Sequence, residues 1–232
     1  MLMLIIPFIL FAGRGDIRKV EQLKKRAQNG DLLAQYNLGV IYSEGYFGVA
    51  KDYNEAAKWY EMAAKRGYIA AQCNLGYLYV HGGYGLSRDF KKAVRWYKLA
   101  AEQNDTFAQN NLGTMYQFGR GVKKDYKKAV KWYKKAAMQG LAVAQYNLGV
   151  MYHNGWGVDK DDKEAVKWYE KAAKQGYVDA QYSLGLMYIN GIGVQTNYAL
   201  AYKWWRKAAN SGDFRAEQLV ERLCQDRPWI CR

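Results

Sequence analysis

The sequence predicts an all-α protein, a solenoid of five helix-pair repeats closed at each end by a capping helix. Two periodic signals lead to that class. Leu38-Gly39, Leu75-Gly76, Leu112-Gly113, Leu148-Gly149 and Leu184-Gly185 recur at spacings of 37, 37, 36 and 36 residues. Trp59-Tyr60, Trp96-Tyr97, Trp132-Tyr133, Trp168-Tyr169 and Trp204-Trp205 follow them at the same step, about twenty residues later each time. A fixed period in this range, without low-complexity sequence, marks an array whose units bury their apolar faces only against neighbours. The composition of the 232 residues agrees: 50% hydrophobic and 24% charged excludes wholesale disorder, and two prolines exclude collagen-like or proline-rich structure.

Residues 1–13 carry no charged side chain and are followed by Arg14. A spanning helix needs roughly 17 to 25 apolar residues, so the segment suits the apolar region of a secretory signal, with Ala12 and Gly13 near the cleavage point. It has neither a positive n-region nor a clean A-x-A site. The expectation is export to a periplasmic or secreted location if the segment is a signal. A cytoplasmic location, a membrane-associated tail or an apolar segment packed on the first helix are the alternatives. Residues 14–30 read as the N-terminal cap, because Ile17 to Gln28 resembles a lone second helix without its Trp-Tyr pair.

The five repeats span 31–67, 68–104, 105–140, 141–176 and 177–212. In the fourth, Ala144, Leu148 and Tyr152 share a stripe with Met151 beside them, as an amphipathic first helix requires. Gly149 sits inside that helix, where glycine costs about 0.8 to 1 kcal/mol relative to alanine. Close approach by the partner helix, whose Trp-Tyr pair needs a place without a side chain, offsets the loss. Gly155 and Gly157 form the turn. Asp52, Asp89, Asp125, Asp161 and Asn197 precede a recurring alanine by four residues and read as N-caps of the second helix. Glu55 and Glu164 are placed to complete capping boxes. Gly30, Gly67, Gly140, Gly176 and Gly212, with Asn104 in the third place, suit the left-handed C-cap. Gly45-Tyr46-Phe47-Gly48 and Gly82-Gly83-Tyr84-Gly85 hold one residue more than Gly119-Arg120-Gly121, which places the insertion in the turn. Inside a helix it would rotate the apolar stripe by about 100°.

Residues 213–232 form the C-terminal cap and tail. Phe214 to Cys224 resembles a lone first helix in which Glu221 replaces the Leu-Gly glycine, and Arg215, Glu217, Glu221 and Arg222 give it a polar outer face. Cys73, Cys224 and Cys231 are too few for a disulfide framework, and none forms a C-x-x-C pair. A turn at Pro228 could join Cys224 to Cys231 in an oxidising compartment, and two free thiols are the equal alternative.

The pattern A-x-x-x-L-G-x-M-Y-x-x-G-x-G-V followed by D-x-x-x-A-x-x-W-Y-x-x-A-A-x-x-G, read over Ala144 to Val158 and Asp161 to Gly176, resembles the Sel-one-like repeat (SLR) family of the tetratricopeptide-like superfamily. The resemblance covers roughly residues 17 to 224. It implies a right-handed α-α superhelix serving as an adaptor or scaffold for other proteins. One branch of that family staples each repeat with a cysteine pair; this chain lacks those cysteines.

The resemblance also implies that the first helices line a concave groove. Carried over position by position, it assigns Tyr36, Cys73, Asn110, Tyr146 and Tyr182, then Asn37, Asn74, Asn111, Asn147 and Ser183. Val40, Tyr77, Thr114, Val150 and Leu186 lie one turn along. An asparagine in four of five repeats suits either a ladder that holds an extended peptide backbone or a bond to the neighbouring repeat that fixes the stacking.

A formal net charge of +14 raises nucleic acid, an anionic surface or a solvated basic exterior. Lys127, Lys131, Lys134 and Lys135 fall opposite Ala129, Tyr133 and Ala136, on the outer face, so the solvated exterior is preferred and nucleic acid is not expected. Weak, salt-sensitive contact with anionic membrane or envelope material is the alternative. No G-x-S-x-G, S-x-x-K, H-E-x-x-H or phosphate-loop motif occurs, and His81 and His153 stand alone. The expected function is therefore a non-enzymatic scaffold without a cofactor, holding an unidentified protein or peptide partner in the groove. N-terminal sequencing of the mature chain checks the export expectation: loss of the apolar head supports it, and a chain beginning at Met1 overturns it.

Overall fold

The computed structural model describes residues 17–231, so the signal-like head at 1–13 lies outside the described residues. These form two compact units, one ending at Trp96 and one beginning at Tyr97. The first unit holds α1 (Ile17–Gln28), α2 (Leu32–Glu44), α3 (Tyr53–Lys65), α4 (Ile69–His81) and the start of α5 (Phe90–Glu102). The second holds the rest of α5, then α6 (Thr106–Phe118), α7 (Tyr126–Met138), α8 (Ala142–Asn154), α9 (Asp162–Lys174), α10 (Val178–Asn190), α11 (Tyr198–Asn210) and α12 (Phe214–Asp226). A 3₁₀ turn, Pro228–Ile230, follows. Among the described residues there is no strand, only an isolated bridge between Gly83 and Leu86. Within each unit consecutive helices pack on one another, from α1 to α4 and from α6 to α12. This is the all-α helix-pair solenoid class that the period predicts.

All helices from α2 to α12 have 13 residues. The extra residue of the two 37-residue steps therefore lies in the turns after α2 and α4. There Phe47 and Tyr84 take left-handed backbone, with φ of 57° and 45°.

The five N-caps form as expected. Asp52, Asp89, Asp125, Asp161 and Asn197 each accept the backbone N–H three residues on, at 2.9–3.0 Å. The capping boxes do not close. The N–H groups of the cap residues donate to the carbonyls of Tyr42, Tyr79, Tyr116, Tyr152 and Tyr188 at 2.8–3.0 Å. With that donor already engaged, Glu55 and Glu164 turn outward to Lys58 and Lys167. Gly30, Gly67, Gly140, Gly176 and Gly212 adopt φ of 84–93° and Asn104 adopts 67°, the left-handed caps that the sequence places there.

The glycine inside each first helix has the reason expected. A Cβ built on Gly39 would stand 2.3 Å from the Tyr60 ring, and the corresponding distances are 2.7 Å for Gly113 and Tyr133, 2.6 Å for Gly149 and Tyr169, and 2.1 Å for Gly185 and Trp205. In these four repeats the second aromatic of the pair lies on the glycine of its own repeat. The first reaches backward: Trp59 packs on the α1–α2 core, Trp168 on the core of α7 and α8, and Trp204 on that of α9 and α10.

A buried glutamine ties each first helix to the helix before it. Gln35, Gln72, Gln109, Gln145 and Gln181 are at most 5% exposed. Their Nε2 atoms donate to the carbonyls of Ala27, Ala64, Ala101, Ala137 and Ala173 at 3.0–3.2 Å. In two repeats the amide oxygen is used as well, accepting from Gln139 at Gln109 and from Gln175 at Gln145, each at 2.8 Å. The oxygens of Gln35 and Gln181 lack a partner. At the matching positions Arg66 donates instead to the Gly30 carbonyl, and the short Ser211 bonds the Lys207 carbonyl.

Two predictions follow from this packing. Gln145→Met removes the donor to Ala137 and the acceptor for Gln175, and should cost about 1–3 kcal/mol in urea unfolding. Gln181→Met, which also removes a buried unpaired oxygen, should cost less; the reverse order would contradict the account. The second concerns alkaline pH. Burial pushes the Tyr36 and Tyr133 phenols up to about 12 and raises those of Tyr60 and Tyr169 as well. An unfolded tyrosine titrates near pH 10, roughly. The fold favours the protonated phenols, so their stabilisation is complete below the unfolded value and is lost as pH rises through the folded values. Thermal midpoints should fall above about pH 10, with phenolate absorbance at these rings appearing together with unfolding.

Candidate functional site

The groove residues assigned from the sequence lie on first helices, whose register the Leu-Gly glycines and the buried glutamines fix. In the first unit Tyr36 and Val40 are buried, at 2% and 8% exposure, whereas Asn37, Asn74 and Tyr77 are half-buried. Tyr36 is enclosed by the rings of Tyr60 at 5.7 Å and Tyr68 at 4.9 Å. Tyr77 stacks on His81 at 3.9 Å. The Asn74 amide donates to the Tyr60 hydroxyl at 3.3 Å and the Tyr36 hydroxyl at 3.5 Å.

In the second unit Asn110 is buried, and Asn111, Thr114, Tyr146, Asn147, Val150, Tyr182 and Leu186 are half-buried. Asn147 donates to the Asn110 side-chain oxygen at 2.9 Å. Tyr146 is hydrogen-bonded to Ser183 and lies between the rings of Tyr169 and Tyr177, at 5.5 and 5.2 Å. Thr114 bonds the Asn110 carbonyl and the Tyr133 hydroxyl, which donates on to Gln117 at 2.6 Å. Val150 packs beside the α9–α10 core and Leu186 beside the α11–α12 core. Tyr182 holds the Arg215 guanidinium 4.4 Å above its ring, and its carbonyl accepts the Trp205 indole N–H at 3.1 Å.

Three of these bonds follow one register, in which the residue two before a Leu-Gly leucine meets, in the next repeat, the residue one before it: Tyr36 with Asn74, Asn110 with Asn147, and Tyr146 with Ser183. Asn74 and Asn147 of the ladder thus engage a neighbouring repeat, as the second of its two readings expects, whereas Asn111 accepts from Asn110 within its own repeat. Tyr36, Val40 and Asn110 are closed off by these contacts, so the accessible surface is made by the other assigned residues. Sequence reasoning missed the buried glutamines; the Ala-Gln dipeptide recurs in all five repeats and was the available signal.

The histidines hold local contacts. His81 Nδ1 meets the Tyr77 carbonyl at 2.9 Å, and His153 Nδ1 lies 2.5 Å from Asp162. Among the described residues no group of three or more His, Cys, Asp or Glu is placed to hold a metal ion, and no helix is long and apolar enough to cross a membrane. Cys224 and Cys231 form a disulfide with Cα atoms 5.7 Å apart, which settles the alternative the sequence left open. Cys73 is unbridged.

Comparison with known proteins places this geometry. The crystal structure of c5321, a protective antigen of uropathogenic Escherichia coli strains displaying an SLR fold, matches 89% of this chain at 36% identity with a TM-score of 0.84. This chain spans only 44% of that one. A Sel1 repeat protein from Oxalobacter formigenes matches 88% of this chain and 84% of its own at 34% identity, with a TM-score of 0.75. The immunity protein Pa5087 from Pseudomonas aeruginosa, at 21% identity and a TM-score of 0.52 over 83% of this chain and 73% of its own, shares the fold. The search of curated proteins gives no match. Sel1 repeat proteins generally mediate protein–protein interaction and are typically non-catalytic. The Sel1 repeat model matches residues 32–68, 69–105, 106–141, 142–177 and 178–213, and with five successive matches the chain belongs to the Sel1 repeat family.

Proposed function

We propose that this chain is a non-enzymatic adaptor that binds a protein or peptide partner along the exposed side of its first helices. The observation that carries the reading is the mixed strip in the second unit, where Thr114, Val150 and Leu186 remain half-buried beside a hydrogen-bonded frame. A frame already satisfied within the protein is pre-organised, so a partner does not have to order it on binding. Specificity then falls to the apolar side chains between the amides. Export is part of the proposal: the uncharged head and the Cys224–Cys231 bridge both suit an oxidising compartment.

The structure changes which residues test this reading. Tyr146 and Asn147 hold neighbouring repeats together, so replacing them would weaken the scaffold along with any contact. The side chains of Val150 and Leu186 are apolar and make no hydrogen bond, and a lysine there can extend its ammonium to water. The double variant Val150→Lys/Leu186→Lys should weaken partner binding by about tenfold or more, equivalent to ~1.4 kcal/mol, with a melting temperature within a few degrees of the parent. Lys131→Glu/Lys203→Glu, on second helices, should leave that binding unchanged. The measurement is isothermal titration against a partner captured from native cells; undiminished binding by the first variant removes the assignment.

A further inference from the structure

The sequence places its aromatics inward among the lysines of the second helices, whereas the turns carry exposed rings, Tyr46, Tyr84 and Trp156. Trp156 belongs to the α8–α9 turn and is 36% exposed. Its ring lies face to face on Tyr126, with centroids 5.3 Å apart and planes within 8°. Gly157 makes this possible, because a Cβ there would stand 2.5 Å from the Tyr126 carbonyl oxygen. Its φ of 73° also favours glycine. The turn is thereby held against the first residues of α7, with one side of the indole toward solvent.

Lysines crowd the same place. Residues 122–138 contain seven lysines and a single acid, Asp125. Lys124 holds its ammonium 4.6 Å from the Tyr126 centroid. Lys123 and Lys127 are exposed and form no ion pair among the described residues. The nearby acids are mostly engaged: Asp125 caps α7 and pairs with Lys128, Asp161 caps α9, and Asp162 meets His153 and Lys160. Asp159 is the remaining one.

A flat ring beside unpaired ammonium groups fits a polymer that has both rings and regularly spaced anions. We propose that this turn binds an acidic polysaccharide, with the apolar C–H face of a uronic-acid ring on Trp156 and its carboxylates on Lys123, Lys124 and Lys127. Single-stranded nucleic acid offers similar chemistry. Resting on the export proposed above, the Cys224–Cys231 bridge favours the sugar, since structural disulfides suit an oxidising compartment outside the cytosol that holds nucleic acid. The surface lies on turns and second-helix starts, so it is independent of the first-helix strip.

The test uses the full chain and polygalacturonate oligomers. Binding should be measurable at low salt and weaken by about tenfold or more as salt rises, since exposed charge pairs are screened. The methyl ester, with the same rings and no charge, should not bind. Trp156→Ala should lose about tenfold in affinity, Trp156→Phe should retain most of it, and Lys123→Glu/Lys127→Glu should lose both affinity and salt dependence. In the unaltered chain, the indole N–H resonance missing from the Trp156→Phe spectrum should shift on titration, which keeps the test open even if Trp156→Ala unfolds. An unmoved Trp156 resonance, equal binding of the methyl ester, or no binding at low salt overturns the proposal. Tighter binding of oligothymidylate than of polygalacturonate also overturns it and assigns the turn to nucleic acid.

Discussion

The distance between the two helices of each pair depends on a ring lying where a side chain would otherwise be. Tyr60, Tyr133, Tyr169 and Trp205 occupy the space over Gly39, Gly113, Gly149 and Gly185, closer than any Cβ would permit. Glycine in a helix interior costs about 0.8 to 1 kcal/mol relative to alanine. The buried aromatic ring repays it, because such rings remove roughly 150–250 Å² each from water. Much else in the repeat follows from that contact. It holds the second helix close enough for the N-cap N–H to reach a tyrosine carbonyl of the first, and it leaves the other aromatic, Trp168 or Trp204, free to pack on the preceding repeat.

A solenoid also needs a link from each repeat to the next, and here a polar group supplies it inside an apolar core. The glutamine amide donates to a carbonyl in the last turn of the previous second helix, on the second lone pair of an oxygen that already accepts the Gly140 N–H. Both ends of the array adapt to this link. At the front, α1 exists as a second helix and offers the Ala27 carbonyl to Gln35. At the back, the position is Glu217, whose carboxylate has no proton to donate to a carbonyl. There α12 is held differently: Arg215 joins Asp213 to Asp179, and the Cys224–Cys231 bridge ties the chain after the helix back to it. Arg215 in turn keeps the largely buried Asp213 carboxyl below the ordinary carboxylate range.

Much of this was legible in the sequence because it is local and repeated. Caps, turn glycines, the placement of the extra residue at Phe47 or Tyr84, and the need for a ring over Gly149 follow from backbone chemistry at fixed offsets. Gln145 was not legible: a glutamine side chain reads as surface by its polarity, and only the tertiary structure shows that it faces a carbonyl eight residues back. Glu164 misled for a related reason. Its spacing from Asp161 is correct for a capping box, but the N–H it would accept already belongs to Tyr152. The groove residues were partly legible. Their placement on first helices was legible, whereas the closure of Tyr36 and Asn110 depends on the next repeat and cannot be read from one helix alone.

Repetition itself separates structural positions from those free to take on a function. Leu148, Gly149, Gln145 and Tyr169 have equivalents in the other repeats, because the packing requires the same group each time. At the turn of Trp156 the counterparts are aromatic in the first two repeats, Tyr46 or Phe47 and Tyr84, but a cation, Arg120, in the third and an aliphatic, Ile192, in the fifth. At Val150 they are Val40, Tyr77, Thr114 and Leu186, again mixed in size and polarity. The scaffold does not dictate these side chains, since each repeat folds with a different one. Differences tolerated by the fold at these places are the means by which one repeated frame can present a distinct surface at each step.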